Sequence, residues 1–141
     1  MKKVDVKKST AKRITVAAAI ILNEAGELLV VRKKNTHVFM QVGGKLEANE
    51  PPEHAIAREI KEEIGCDIQI DQFVGRFETA TANEPDHQLV SYVYLAQLKQ
   101  TPQIAAEIAE MKWVTLDDQV TALAPLTREV VMPWCRKYLK I

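Results

Sequence analysis

Apolar and polar positions divide this chain into segments of different period. Ile14 to Leu22 is a run of alanine, valine and isoleucine, Glu27 to Val31 is a second apolar run, and Asn23-Glu24-Ala25-Gly26 between them has turn chemistry. Two such runs joined by a tetrapeptide predict a β-hairpin. The pattern is then lost through Phe39-Met40-Gln41-Val42-Gly43-Gly44. Paired glycines there predict a loop that turns sharply or lets the backbone approach another group closely. Pro51-Pro52 suits a first helical turn, no further glycine or proline follows as far as Ile64, and Gly65 can stop the helix as its C-cap. A helix is therefore predicted over Pro52–Ile64. On it Ala57, Ile60 and Ile64 are expected to face the core, and Glu59, Glu62 and Glu63 the opposite side.

Downstream, Cys66 to Ile70 and Phe73 to Thr79 read as strands leading into the polar stretch Thr81 to Asp86. Leu89 to Leu98, with Val90, Tyr92, Val93, Tyr94 and Leu95, carries the strongest strand signal. Gln100 to Glu110 admits a loop or a short helix, and Lys112 to Thr115 reads as a short strand. Leu116-Asp117-Asp118 can open a helical turn. Leu126 to Leu139 reads as an amphipathic helix that Pro133 kinks or splits.

Composition narrows the class. A chain of 141 residues fits one domain with a core that needs neither disulfides nor metal staples. Nineteen basic residues balance nineteen acidic ones, so no long-range field draws in polymeric nucleic acid, and specificity for a polyanion must be local. Cys66 and Cys135 are too few and too far apart for a disulfide framework or a zinc site, which points to a reducing cytoplasm. The longest apolar run, Val16 to Leu22, falls far short of a membrane span. Residues 1–13 carry six basic side chains against Asp5 alone and read as a solvated basic leader, flexible or an edge strand. Residues 14–141 form the expected domain.

Charge then changes the picture locally. Glu47, Glu50, Glu59, Glu62 and Glu63 crowd one loop and helix, and Glu59 stands at i, i+3 and i, i+4 from Glu62 and Glu63. Like charges at those spacings repel. A bound Mg²⁺ or Mn²⁺ would turn the repulsion into ligation, because hard divalent ions take carboxylate oxygens and keep waters and phosphates as further ligands. Arg58, one residue before Glu59 and four before Glu62, is placed to fix a carboxylate rotamer. An isolated Glu-x-x-Glu-Glu is more simply a solvated helix face. The order of parts, strand, glycine segment, acidic loop, capped helix and clustered carboxylates, favours a site.

Gly44, Glu50, Arg58-Glu59-Ile60, Glu62-Glu63 and Gly65-Cys66, at these spacings, resemble the signature of the Nudix hydrolases. Cys66 replaces the usual larger aliphatic, and Val42-Gly43-Gly44 stands where members often have Pro-Gly-Gly. The resemblance implies an α+β Nudix fold, a mixed sheet sandwiched between helices. It further implies a metal-dependent pyrophosphohydrolase in which water attacks phosphorus in a nucleoside diphosphate derivative: a nucleoside triphosphate, an oxidised nucleotide or a nucleotide-sugar. By that similarity Glu59, Glu62 and Glu63 are expected metal ligands, together with the Gly43 carbonyl. Glu62 or Glu63 would polarise the water, and Glu50 would orient Arg58 or a metal-bound water. Gly44 and Lys45 would meet phosphate.

Glu107, before Trp113, resembles a glutamate that joins the metal site in mutator-type members, and equally suits a solvated loop. Arg32, with Lys33 and Lys34, ends the second strand where it can grip phosphate or simply face solvent. Phe39, Phe77, Tyr92 and Tyr94 can stack on a base, although strand aromatics more often fill the core. Ala124-Pro125-Leu126-Thr127-Arg128 departs from the asparagine-containing segment of members that read oxidised guanine, which counts against that substrate. A homodimer through an apolar edge strand, Ile14 to Leu22, is a further expectation. Two other classes compete: a non-catalytic Nudix-fold nucleotide sensor, and an α+β interaction domain whose acidic helix meets a basic partner.

Overall fold

The computed structural model of the chain describes residues 12–141. Six strands and two helical regions follow one another as β1 (Lys12–Ile20), β2 (Leu28–Lys33), β3 (Val42–Lys45), α1 (Pro52–Ile64), β4 (Ile68–Ala80), β5 (His87–Leu98), β6 (Ile108–Val114) and α2 (Met132–Leu139). A π-helical turn, Thr127–Val131, leads directly into α2. Of the basic leader only Lys12 and Arg13 fall among the described residues, and they begin β1 instead of preceding the domain. The rest of it lies outside them.

β1 is the central feature. It pairs antiparallel with β3 on one side and parallel with β5 on the other, in a sheet of order β3-β1-β5-β4. β2 and β6 form a separate antiparallel pair. The predicted hairpin is therefore only a corner: the turn is present, with the Asn23 carboxamide oxygen accepting from the Ala25 and Glu27 N–H groups, but β1 and β2 then part into different sheets. Only Leu22 and Leu28 form a bridge across it. The same topology overturns the edge-strand route to a homodimer, since both sides of β1 are already hydrogen-bonded; the edges of this sheet are β3 and β4.

Alternation of side chains along the strands feeds two cores, one on each face of the sheets. Ala17, Ala19, Leu29, Val31 and Tyr94 pack with Ile56, Ile60 and Ile64 of α1. Ala18, Ile20, Leu28, Val30 and Val93 pack with Val131, Met132 and Cys135 at the C-terminus. Mixed strands thus lie between helices, the α+β arrangement expected. Burial on both faces explains why β1 and β2 read as continuous apolar runs. Cys66 and Cys135 are free and buried, one in each core. Among the described residues no helix is long and apolar enough to cross a membrane.

Several elements differ from the sequence reading. The glycine loop is a strand, β3, whose Gly43 and Gly44 pair with Ala18 and Ala17. The two strands expected between Cys66 and Thr79 are one, β4, bulged between Ile70 and Gln72 and between Phe73 and Gly75. A bulge breaks alternation and so imitates a gap between strands. β6 begins four residues before the expected strand, at Ile108. Thr115–Asp118 closes a turn, not a helix. Pro133 lies inside a continuous helical stretch, and the π-helical turn Thr127–Val131 immediately before it is the irregularity expected where a proline removes an N–H from the ladder.

α1 begins and ends as predicted, with Pro52 in its first turn and Gly65 in the left-handed conformation at φ 69°. Its buried stripe is Ala55, Ile56, Ile60, Glu63 and Ile64, while Ala57 is exposed. At roughly 100° per residue, Ala57 lies about a quarter-turn from the centre of that stripe and Glu63 close to it. The division into a core face and an acidic face therefore fails at Glu63.

Candidate active site

Packing of α1 against β3 brings the helix carboxylates to the glycine backbone. A Cβ on Gly43 would collide with the Ala17 carbonyl oxygen, and a Cβ on Gly44 with the Glu59 carboxylate. Both glycines are present because of a close approach, the first to backbone and the second to a carboxylate. Glu63, 7% exposed, has a Gly43 N–H donating to Oε1 at 3.3 Å. Burial pushes its carboxyl up to about 7; the Gly43 hydrogen bond opposes the rise, as does the nearby Lys33 ammonium, while the charges of Glu59 and Glu62 add to it.

Arg58 organises the remaining acids. Its Nε and Nη2 donate to Glu50 Oε2 and Oε1 at 2.9 and 2.8 Å, a planar two-point contact. Nη1 donates to Glu59 Oε2 at 2.7 Å, and Nη2 also reaches the Lys45 carbonyl oxygen at 3.1 Å. Glu62 Oε1 and Glu47 Oε2 stand farther off, at 3.7 and 3.9 Å. Glu50 accepts two more hydrogen bonds, from the Glu47 N–H at 2.9 Å and from His54 Nδ1, when that nitrogen is protonated, at 2.8 Å. The guanidinium above all holds the Glu50 carboxyl well below the usual carboxylate range, and Glu50 raises Arg58 in return.

A cavity of about 210 Å³ opens beside the same glycines, between the four-stranded sheet and the start of the C-terminal helical region. Lys33 and Lys45 line it near Gly43 and Gly44, Asn83 and Glu84 at the β4–β5 connection, and Gln41 and Thr127 along the wall. Lys33 thus belongs both to the cavity and to the surroundings of Glu63.

The expected residues are not all gathered. Glu50, Arg58, Glu59, Glu62, Glu63, Gly43, Gly44 and Lys45 share the α1–β3 junction. Arg32 does not face it: its Nε donates to Glu110 at 3.2 Å and its Nη1 to the Thr36 carbonyl at 2.8 Å. Glu107 sits in an exposed turn. Its carbonyl accepts from the Lys34 N–H, and its neighbour Ala105 donates to the Glu63 carbonyl, so the backbone is close to the helix end. No contact joins its carboxylate to the α1 acids. Among the described residues no three His, Cys, Asp or Glu side chains converge on one point. The donor types nonetheless suit a hard divalent ion: three neighbouring carboxylates, one of them buried with a single N–H as its hydrogen-bond partner.

Phe39 and Tyr94 are core residues, with the Tyr94 hydroxyl donating to Glu53 at 3.1 Å. Lys33 was one of three undifferentiated strand-end cations in the sequence, and strand register alone separates it from Arg32. Gln41 and Thr127 stand in the sequence only within longer segments, because a single polar residue in an apolar stretch carries no signal of its own without a fold.

The NUDIX domain family model matches residues 11–135. The chain belongs to the Nudix family. It is 28% identical over 102 residues to a "MutT-like protein" of Streptomyces ambofaciens, covering 72% of this chain and 63% of that relative. To the "8-oxo-dGTP diphosphatase" of Escherichia coli (strain K12) it is 28% identical over 109 residues, covering 74% and 82% respectively. The crystal structure of the MutT NUDIX hydrolase from Burkholderia pseudomallei superposes with a TM-score of 0.75 at 25% identity, covering 86% of this chain and 97% of that one. The signature residues from Gly44 to Cys66 lie at the α1–β3 junction just described.

Proposed function

We propose that this Nudix protein is a divalent-metal-dependent pyrophosphohydrolase that cleaves the diphosphate linkage of a nucleoside diphosphate derivative by water attack at phosphorus. The observation that carries the reading is the junction itself. Arg58 ties Glu50 to Glu59 over the Gly44 backbone, Glu63 abuts Gly43, and a cavity containing Lys33 and Lys45 opens next to them.

Glu59, Glu62, Glu63 and the Gly43 carbonyl would hold Mg²⁺ or Mn²⁺. When bound, the ion would neutralise phosphate charge and acidify a water. Lys33 and Lys45 set positive charge beside the phosphates. Glu50 is a positioning residue: it fixes Arg58, which fixes Glu59. Glu62 and Glu63 are the carboxylates assigned to accept the proton of the attacking water. Arg32, engaged with Glu110, is replaced in the phosphate role by Lys33. Glu107 can join the ligands only by turning its exposed side chain inward.

The relatives named MutT-like protein and 8-oxo-dGTP diphosphatase support a nucleoside triphosphate, ordinary or oxidised, as the substrate class. Two buried, unpaired cysteines support a reducing cytoplasmic setting. The test is release of phosphate, pyrophosphate and nucleoside monophosphate from nucleoside triphosphates, oxidised nucleotides and nucleotide-sugars, with Mg²⁺, with Mn²⁺ and with chelator.

A further inference from the structure

The Glu50 side chain is only 6% exposed, and its carboxylate has about four acceptor positions, two on each oxygen. Oε1 accepts from the Glu47 N–H at 2.9 Å and from Arg58 Nη2 at 2.8 Å. Oε2 accepts from Arg58 Nε at 2.9 Å and from His54 Nδ1 at 2.8 Å. The four bonds fill the carboxylate, so Glu50 keeps no position for a metal-bound water, and what it can do is hold Arg58. A carboxylate only accepts, so His54 Nδ1 must carry a hydrogen, whether the ring is neutral or charged.

The two kinds of donor differ in how firmly they are held. The terminal torsion of a glutamate is soft, so hydrogen bonds decide the plane of its carboxylate. Arg58 is long and can follow a carboxylate that turns. The other two donors cannot: one is the backbone of Glu47, and the other is a short side chain in the first turn of α1, where the His54 N–H donates to the Pro51 carbonyl oxygen at 3.0 Å. Each oxygen of Glu50 thus takes one donor from Arg58 and one that is anchored. Without His54 the carboxylate has a single anchored donor, on Oε1, and can pivot about it. The His54 ring is otherwise 70% exposed, and among the described residues Glu50 is its hydrogen-bond partner.

We propose that His54 is a positioning residue of the site: it fixes the plane of the Glu50 carboxylate, through it the Arg58 fork, and through Arg58 Nη1 the Glu59 carboxylate. The consequence for metal binding rests on the reading of Glu59 as a ligand. The chain of hydrogen bonds stands without it.

The test compares the full chain with two variants, His54→Phe, which keeps a ring and removes both nitrogens, and His54→Asn, whose amide N–H takes the place of the Nδ1–H. Thermal midpoints are the folding control, and His54→Ala replaces His54→Phe should the latter not fold. Solvent exchange of the Arg58 Nε–H, followed by NMR in chelator, should be about fivefold or more faster in His54→Phe and within about twofold of wild type in His54→Asn. Mn²⁺ affinity, followed by electron paramagnetic resonance, should fall about threefold or more in His54→Phe and recover in His54→Asn. Wild-type exchange in folded His54→Phe, or faster exchange that His54→Asn does not restore, would overturn the proposal. So would Mn²⁺ bound equally well by wild type and His54→Phe. A wild type that binds no Mn²⁺ would count against the reaction proposed above, and the exchange ratios would still decide whether His54 holds Arg58 in place.

Discussion

Arg58 grips Glu50 through two parallel hydrogen bonds of 2.8 and 2.9 Å, across eight residues of chain and the start of α1. Only a planar guanidinium supplies two donors in this geometry while a third reaches Glu59. Arg58→Lys keeps the charge and loses the fork. The expected result is a fall in kcat of about tenfold or more with KM little changed, since Glu59 and not the substrate loses its support. Steady-state kinetics on the best substrate check it.

The same pair gives acid sensitivity a sign. Glu50 is held below the usual carboxylate range, so its stabilisation is fully present above its ordinary value of 4.5 and is lost as pH falls toward the folded-state value. Denaturant unfolding at a series of pH values should show the wild type's advantage over Arg58→Met at full size above pH 4.5 and shrinking below it. A gap constant down to pH 2.5 contradicts this account.

Glu63 behaves oppositely. Its carboxyl is raised to about 7 by burial, so in the chelator-treated protein it destabilises the fold once ionised. The penalty is absent below about pH 4.5, grows between there and 7, and amounts to at most about 3 kcal/mol above it. Glu63→Gln should therefore be the more stable protein at pH 8 without metal, and should lose that advantage at pH 4.5. Saturating Mg²⁺ should raise the wild type's midpoint and leave the variant's nearly unchanged.

Two adjacent glycines make a contrasting pair. Gly43→Ala places a methyl against the Ala17 backbone at a φ of 149°, and neither strand can yield without losing pairing. A loss of roughly 2–3 kcal/mol is expected. Gly44→Ala meets no backbone but the Glu59 side chain from its carboxylate back to Cγ, which must leave its Arg58 hydrogen bond to make room. That variant should fold with a near-normal midpoint and lose activity, which thermal melts and kinetics together would show.

The local elements were legible where local chemistry decides them. Pro52 and Gly65 bound α1 in sequence as in structure, and the spacing of Gly44, Glu50, Arg58 and the helix glutamates is enough to mark the family. Long-range pairing was not legible. Nothing near Ile14 says that β1 takes β3 and β5 as partners, so a corner passed for a hairpin and an interior strand for an edge. The charge of Glu63 suggests the solvent face, whereas its register puts it in the buried stripe of α1. Lys33, Gln41 and Thr127 become visible only when strands and C-terminal helix close around a cavity.

The most direct test of the central claim is product release from nucleoside triphosphates by the wild type and by Glu63→Gln, each with Mg²⁺ and with chelator. Wild-type protein with Mg²⁺ should release nucleoside monophosphate or phosphate at a rate at least about a hundredfold above both the chelator control and folded Glu63→Gln. Equal rates in wild type and variant, or release undiminished by chelator, would contradict a metal-dependent site at the α1–β3 junction.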